Sequence, residues 1–195
     1  MNRLIIISIL FTLTNISFSQ NFSGGILLGI SGNQIDGDVQ SGYKKGGLII
    51  GAFVTKPLSG KSNLKIESYY IGKGAVKTVK VSPSYSYQEF STSLHYIEIP
   101  FLYNYQILQK FDISIGIAPS YIFASKLVEL GYETNKNFYT MRTFDFQPIA
   151  EAGFYLTDNI IANLRYSHSI INIRTDTNGG WYNNNIGIVL SYKIK

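Results

Sequence analysis

Phe111-Asp112-Ile113-Ser114-Ile115-Gly116-Ile117-Ala118-Pro119-Ser120-Tyr121 is the stretch whose reading decides the fold. Its odd positions are large and apolar, and its even positions are small or polar. Successive strand side chains point to opposite faces, so this segment has one greasy side and one polar side. In a soluble sandwich the greasy side meets a second sheet, whereas in a membrane barrel it meets lipid and the polar side faces the lumen. Periodicity alone does not separate the two.

The same alternation recurs outward in both directions, predicting strands near 22–31, 46–56, 63–73, 94–107, 111–124, 144–156, 160–171 and 184–194. In the second, Leu48, Ile50, Ala52 and Val54 share a face. In the third, Leu64, Ile66 and Tyr70 lie opposite Lys65, Glu67 and Tyr69. The last sets Ile186, Ile188, Leu190, Tyr192 and Ile194 against Gly187, Ser191 and Lys193. Eight strands is an even count, as a closed up-and-down barrel of this kind requires.

The connections separate the alternatives. Three are short (57–62, 108–110 and 157–159), and four are long and polar (32–45, 74–93, 125–143 and 172–183). Short and long alternate strictly, so every long loop falls at one end of the sheet. Short periplasmic turns with longer extracellular loops have this pattern, and it places both termini in the periplasm. Several tyrosines near strand ends (Tyr69, Tyr70, Tyr105, Tyr121, Tyr155 and Tyr192) suit a membrane interface. The reading is all-β: an eight-stranded antiparallel up-and-down transmembrane β-barrel.

Composition agrees. The chain has 195 residues, enough for one domain, and only 15% of them are charged, well below the usual share of about 25% in soluble domains. Beyond residue 19 no apolar run approaches the roughly 20 residues of a spanning helix, so the backbone must be satisfied by strand pairing. There is no cysteine, hence no thiolate metal site or thiol nucleophile. Residues 1–19 read as a signal peptide: Arg3 supplies the positive start, Leu4 to Ile16 the apolar core, and Ser17 and Ser19 the small residues before cleavage at Gln20. Residues 20–195 are then the barrel domain. Removing Arg3 leaves 16 basic against 12 acidic residues, +4. That charge suits an anionic glycolipid leaflet and is too diffuse for nucleic-acid binding.

Two segments resemble a known family. Leu94-His95-Tyr96-Ile97-Glu98-Ile99-Pro100-Phe101-Leu102-Tyr103-Asn104-Tyr105 resembles the Tyr-(Leu/Ile)-Glu-(Ile/Val)-Pro strand of PorT-like outer-membrane β-barrels, common in Bacteroidetes. Its motif positions here are Tyr96, Glu98 and Pro100. Leu164 to Ile173 is similar to the same family's Arg-Tyr-Ser-x-Gly-Leu-x-Asn-Ile strand, with Ser169 where a glycine is usual. Asn185 to Tyr192 resembles the insertion signal read by the barrel-assembly machinery, although the chain ends Lys193-Ile194-Lys195 rather than on an aromatic residue. The resemblance implies an integral outer-membrane protein of broad function. A few members take part in type IX secretion.

Seven charges fall on the expected inward face: Lys65, Glu67, Glu98, Asp112, Glu151, Arg165 and Lys193. Eight strands leave a lumen just wide enough for side chains to fill, and buried charges must pair. The expectation is therefore a structural plug, with Glu67, Glu98 and Glu151 paired to Arg165, Lys65 and Lys193. The sharper alternative is a small-solute conduit.

An outer-membrane lipid-modifying enzyme, an acyl hydrolase or transferase, is the other alternative, prompted by His168. Lipid A deacylases carry His-x-Ser on a late strand. Here Ser169 directly follows His168 and faces the opposite way, so the histidine does not reach it as a base. His168 reads as a residue of the outer rim, and His95 likewise. Asp36-Gly37-Asp38 and Asp176-Thr177-Asn178-Gly179-Gly180 lack the closing Glu of a calcium loop, and Gly72-Lys73-Gly74 lacks the rest of a phosphate loop. All three read as turn chemistry.

No enzyme activity, cofactor or metal is expected. A structural, surface-interaction or envelope- and secretion-accessory role is expected instead. The expected partners are outer-membrane lipid and lipopolysaccharide, the barrel-assembly machinery during insertion, and another envelope protein.

Overall fold

A computed structural model of the chain describes residues 22–38, 42–82, 85–129, 132–134, 141–175 and 179–194. The expected signal peptide and residues 176–178 of the Asp176–Gly180 turn lie outside these residues. The described strands are β1 (Ser23–Asp36), β2 (Lys45–Pro57), β3 (Ser62–Ser82), β4 (Tyr85–Glu98), β5 (Phe101–Leu108), β6 (Phe111–Glu129), β7 (Tyr132–Thr134), β8 (Phe144–Tyr155), β9 (Ile160–His168) and β10 (Tyr182–Ile194). Neighbours pair antiparallel throughout, and β1 closes the ring by pairing with both β2 and β10. A closed ring has no free edge.

β4 and β5 are one wall strand. Glu98 sits opposite Tyr69 and Ser120, and Phe101 sits opposite Ile66 and Ile117, so the register runs on unbroken between them. Only hydrogen bonding lapses, and proline is the reason. Ile99 donates its N–H to the Pro119 carbonyl at 3.0 Å, and Glu67 donates to the Pro100 carbonyl at 3.0 Å. Neither proline has an N–H to return. Counted this way, and with β7 an appendage on β6, the ring has eight strands.

Outward positions form an apolar belt. Ile26, Leu28 and Ile30 of β1, Leu48, Ile50 and Val54 of β2, and Phe111, Ile113, Ile115 and Ile117 of β6 are all exposed. So are Phe101, Tyr103, Leu164, Tyr166, Ile186 and Ile188. In water such a continuous belt would far exceed the few hundred Å² of apolar patch that monomers expose. Tyr105, Tyr121 and Tyr192 belong to this outer wall, but Tyr69 is buried in the lumen.

The interior is not uniformly small and polar. On the side of β1, β2 and β10 it is filled by Leu27, Ile49, Phe53 and Val189. Towards the long-loop end it is capped by Ile35, Leu94, Met141, Ile173 and Trp181. Polar residues concentrate on the opposite wall.

The sheet also outgrows the expected strands. Residues 74–93 are not a loop: β3 and β4 stay paired from Gly74↔Ser93 to Ser82↔Tyr85, with register shifts near Lys77 and Lys80. At about 3.3 Å per residue the 21 residues of β3 span roughly 70 Å, against an apolar belt of about 25 Å. β1 continues to Asp36, and β6 reaches Glu129 before β7 turns back on it. A fence of sheet therefore rises beyond the belt at the long-loop end. Gly74, where this extension begins, must be glycine. Its φ is +134°, and a Cβ there would meet the Thr92 carbonyl oxygen at 2.0 Å.

Candidate functional site: an ion-paired lumen

Lys65 and Glu67 are two apart on β3 and so share the inner face. Glu151 on β8 lies directly opposite Arg165 on β9. Across the lumen these four meet. Arg165 pairs with Glu67 at 2.6 Å and with Glu151, while Lys65 pairs with Glu67 at 3.0 Å and with Glu151 at 2.8 Å. Each cation touches both carboxylates, so the group is a closed quartet of alternating charge.

A second group lies beside it. Glu98 pairs with Lys73 at 2.5 Å and also accepts from Tyr69 (2.7 Å), Gln147 (3.0 Å) and Ser120 (3.2 Å). Tyr69 joins the two groups: its hydroxyl donates to Glu98, and its ring lies 4.9 Å from the Arg165 guanidinium carbon. Further along, Asp145 accepts from Ser169 at 2.6 Å and from Asn183 at 3.2 Å.

The expected site residues thus divide. Lys65, Glu67, Glu151 and Arg165 come together, and Glu98 joins them through Tyr69. Lys193 does not take part: it is exposed at the mouth beside the termini, and the partner of Glu98 is Lys73. The Gly72-Lys73-Gly74 stretch is therefore not turn chemistry but strand, with a buried lysine at its centre. In the motif strand, Tyr96 and Glu98 point into the lumen, and Pro100 is buried at the gap in the ladder. Asp145 was missed although it shares the inner face of β8 with Gln147 and Glu151, a position the alternation over 144–156 already gives.

The two histidines stand outside the lumen. His168 lies at the upper edge of the belt, 3.0 Å from Asp36 and stacked on Tyr182. Ser169 turns inward to Asp145. Asp36 also accepts from Asn184 at 2.9 Å and from Gln34 at 2.7 Å. His95 hydrogen-bonds the Tyr70 hydroxyl at 2.7 Å and packs among Tyr70 and Phe123 on the outer wall. Among the described residues no group of three or more His, Cys, Asp or Glu is placed to hold a metal ion.

A closed antiparallel ring with an apolar outer wall and a paired, charged lumen is the build of a transmembrane β-barrel. Residues 18–174 match the family model described as "Outer membrane protein beta-barrel domain". The chain belongs to that family, and its place is the outer membrane.

Solved structures agree on the fold. Neisserial surface protein A is 12% identical with a TM-score of 0.61, covering 90% of this chain and 100% of that one. Ail, the attachment invasion locus protein of Yersinia pestis, is 9% identical with a TM-score of 0.51, covering 88% and 98%. Ail in complex with the heparin analogue sucrose octasulfate gives 8% and 0.52, covering 89% and 99%. No curated protein sequence matches the chain.

Proposed function

We propose that this protein is a closed, non-enzymatic outer-membrane barrel of the PorT-like branch, working through the sheet it raises beyond the lipid. On this reading residues 1–19 are removed at export and both termini lie in the periplasm. The β3–β4 and β6–β7 extensions then stand at the cell surface. The observation that carries the reading is the contrast between the two parts of the chain. Bridged charges cross the lumen, whereas β3 and β4 stay paired far past the apolar belt. A barrel that only plugged a membrane would not need that hairpin. The two neighbours are named for a surface and for attachment, but the projecting sheet supports the reading, not those names.

Planar-bilayer recording of the purified barrel is expected to show no large stable conductance; a steady open level would overturn the closed lumen. Removing 75–92 and rejoining the hairpin is expected to leave the heat-modifiable barrel intact and to abolish binding of whole cells to their surface partner. Loss of the barrel itself would show that the hairpin serves folding instead.

A further inference from the structure

Among the described residues, the lumen holds more buried negative charge than its cations answer. Lys65, Lys73 and Arg165 face Glu67, Glu98, Asp112, Asp145 and Glu151, all buried, which leaves two carboxylates in excess. The excess falls on Asp112 and Asp145, neither of which forms an ion pair with a described residue. Asp145 is well supplied with neutral donors: Ser169, Asn183, Gln147 and the Phe146 N–H. Asp112 is not.

Asp112 is 3% exposed, and no donor among the described residues reaches its Oδ1. The Tyr155 hydroxyl lies close enough to this carboxylate to interact with it. Asp112 pairs across β6 and β8 with Gly153, which pairs across β9 with Asn163, so the three form a row on the inner wall. A Cβ on Gly153 would lie 2.2 Å from Asp112 Oδ1 and 3.0 Å from Asn163 Oδ1. Both oxygens therefore lean over the one residue in the row that has no side chain. The Asn163 amide is not turned the wrong way round: its nitrogen donates to Ser191 Oγ at 3.1 Å and to the Val189 carbonyl at 3.3 Å. Two buried acceptors converge with no donor between them. Without a positive charge that arrangement is costly.

Asp112 and Asn163 line a cavity of about 160 Å³ at the end carrying both termini, together with Asn63, Lys65, Tyr155, Asp158 and Lys193. Its inner end is closed by Lys65, whose ammonium is already shared by Glu67 and Glu151. From this geometry we infer that the cavity is a dead-end binding site for a small monovalent cation, an alkali ion or a primary ammonium group, seated above Gly153 between Asp112 Oδ1 and Asn163 Oδ1. A divalent ion does not fit the donors, because calcium and magnesium take six or more oxygens, commonly from several carboxylates, and here Asp112 is the one buried carboxylate at the seat, the second carboxylate of the cavity, Asp158, being exposed. The site would add the positive charge the lumen lacks, from the side opposite the projecting sheet.

The test uses the full barrel in detergent micelles, with unfolding followed by heat-modified gel mobility. NaCl, KCl or methylammonium chloride replaces tetramethylammonium chloride at constant ionic strength. Tetramethylammonium has no N–H and is too bulky to seat between the two oxygens. The folded-to-unfolded ratio is expected to rise by roughly tenfold for each tenfold increase of a bound cation above its dissociation constant. The Na⁺, K⁺ and methylammonium arms show whether the occupant is an alkali ion or an amine.

Asp112→Asn, which keeps the shape, is expected to remove that dependence. If it fails to fold, Asn163→Asp is expected to move the titration to lower cation concentration. Lys193→Gln is expected to leave the dependence in place. Three results would overturn the site: no dependence beyond ionic strength, a protonated-carboxyl infrared band lost in Asp112→Asn, or a dependence that appears only in Lys193→Gln. The last would make Lys193 the counter-ion.

Discussion

Arg165→Leu is expected to lower the stability of the barrel by about 3–5 kcal/mol, read as a fall in the temperature at which the folded band is lost on a gel. The guanidinium bridges Glu67 and Glu151 inside the lumen. Without it two buried carboxylates share only Lys65, and the charge left over has no water to turn to. The cost comes from orphaning a partner, not from the net worth of the pair. Replacing Lys65, Glu67, Glu151 and Arg165 together with apolar residues of similar volume is therefore expected to cost far less than Arg165→Leu alone. An unchanged transition in the single variant would show that the quartet contributes nothing to holding the lumen shut.

Ile115→Arg carries the other large effect, and it distinguishes lipid from water. Ile115 is 62% exposed in the middle of the β6 face. On a soluble surface such a change falls within about 0.5 kcal/mol of neutral. Facing the bilayer midplane, an arginine costs about 2–4 kcal/mol. Urea unfolding in phospholipid vesicles measures the difference, with Ser114→Ala on the inner face as a contrast in position. A neutral Ile115→Arg would mean that the belt does not touch hydrocarbon.

How much of this was legible in the sequence depended on which solvent each residue meets. The outer wall was easy to read because lipid demands an unbroken apolar row: Phe111, Ile113, Ile115 and Ile117 announce themselves at period two. The inner wall obeys no such demand. Leu27, Ile49 and Phe53 are as apolar as the outside, and Ser114, Glu151 and Arg165 are polar, because a lumen need only be filled and paired.

Face was therefore readable, but depth along the barrel was not. Lys193 points inward yet sits at the mouth, while Lys73 reaches Glu98 because strand stagger sets heights that no single strand displays. The β3–β4 extension hid for a related reason. Above the belt neither face meets lipid, so Ala75 to Val81 alternates small, apolar and lysine residues and reads as a polar connection. The prolines misled less. Pro100 and Pro119 each remove a ladder hydrogen bond, yet the register holds across them, so the strand of the family resemblance was recognised whole.

The most direct measurement is refolding of the urea-unfolded barrel domain by dilution into buffer, with and without phospholipid vesicles. The apolar sides of the strands should find their solvent only in the bilayer, so the compact, heat-modifiable form is expected with vesicles and aggregate without them. A monomer that folds in plain buffer, with no lipid or detergent, would contradict the account.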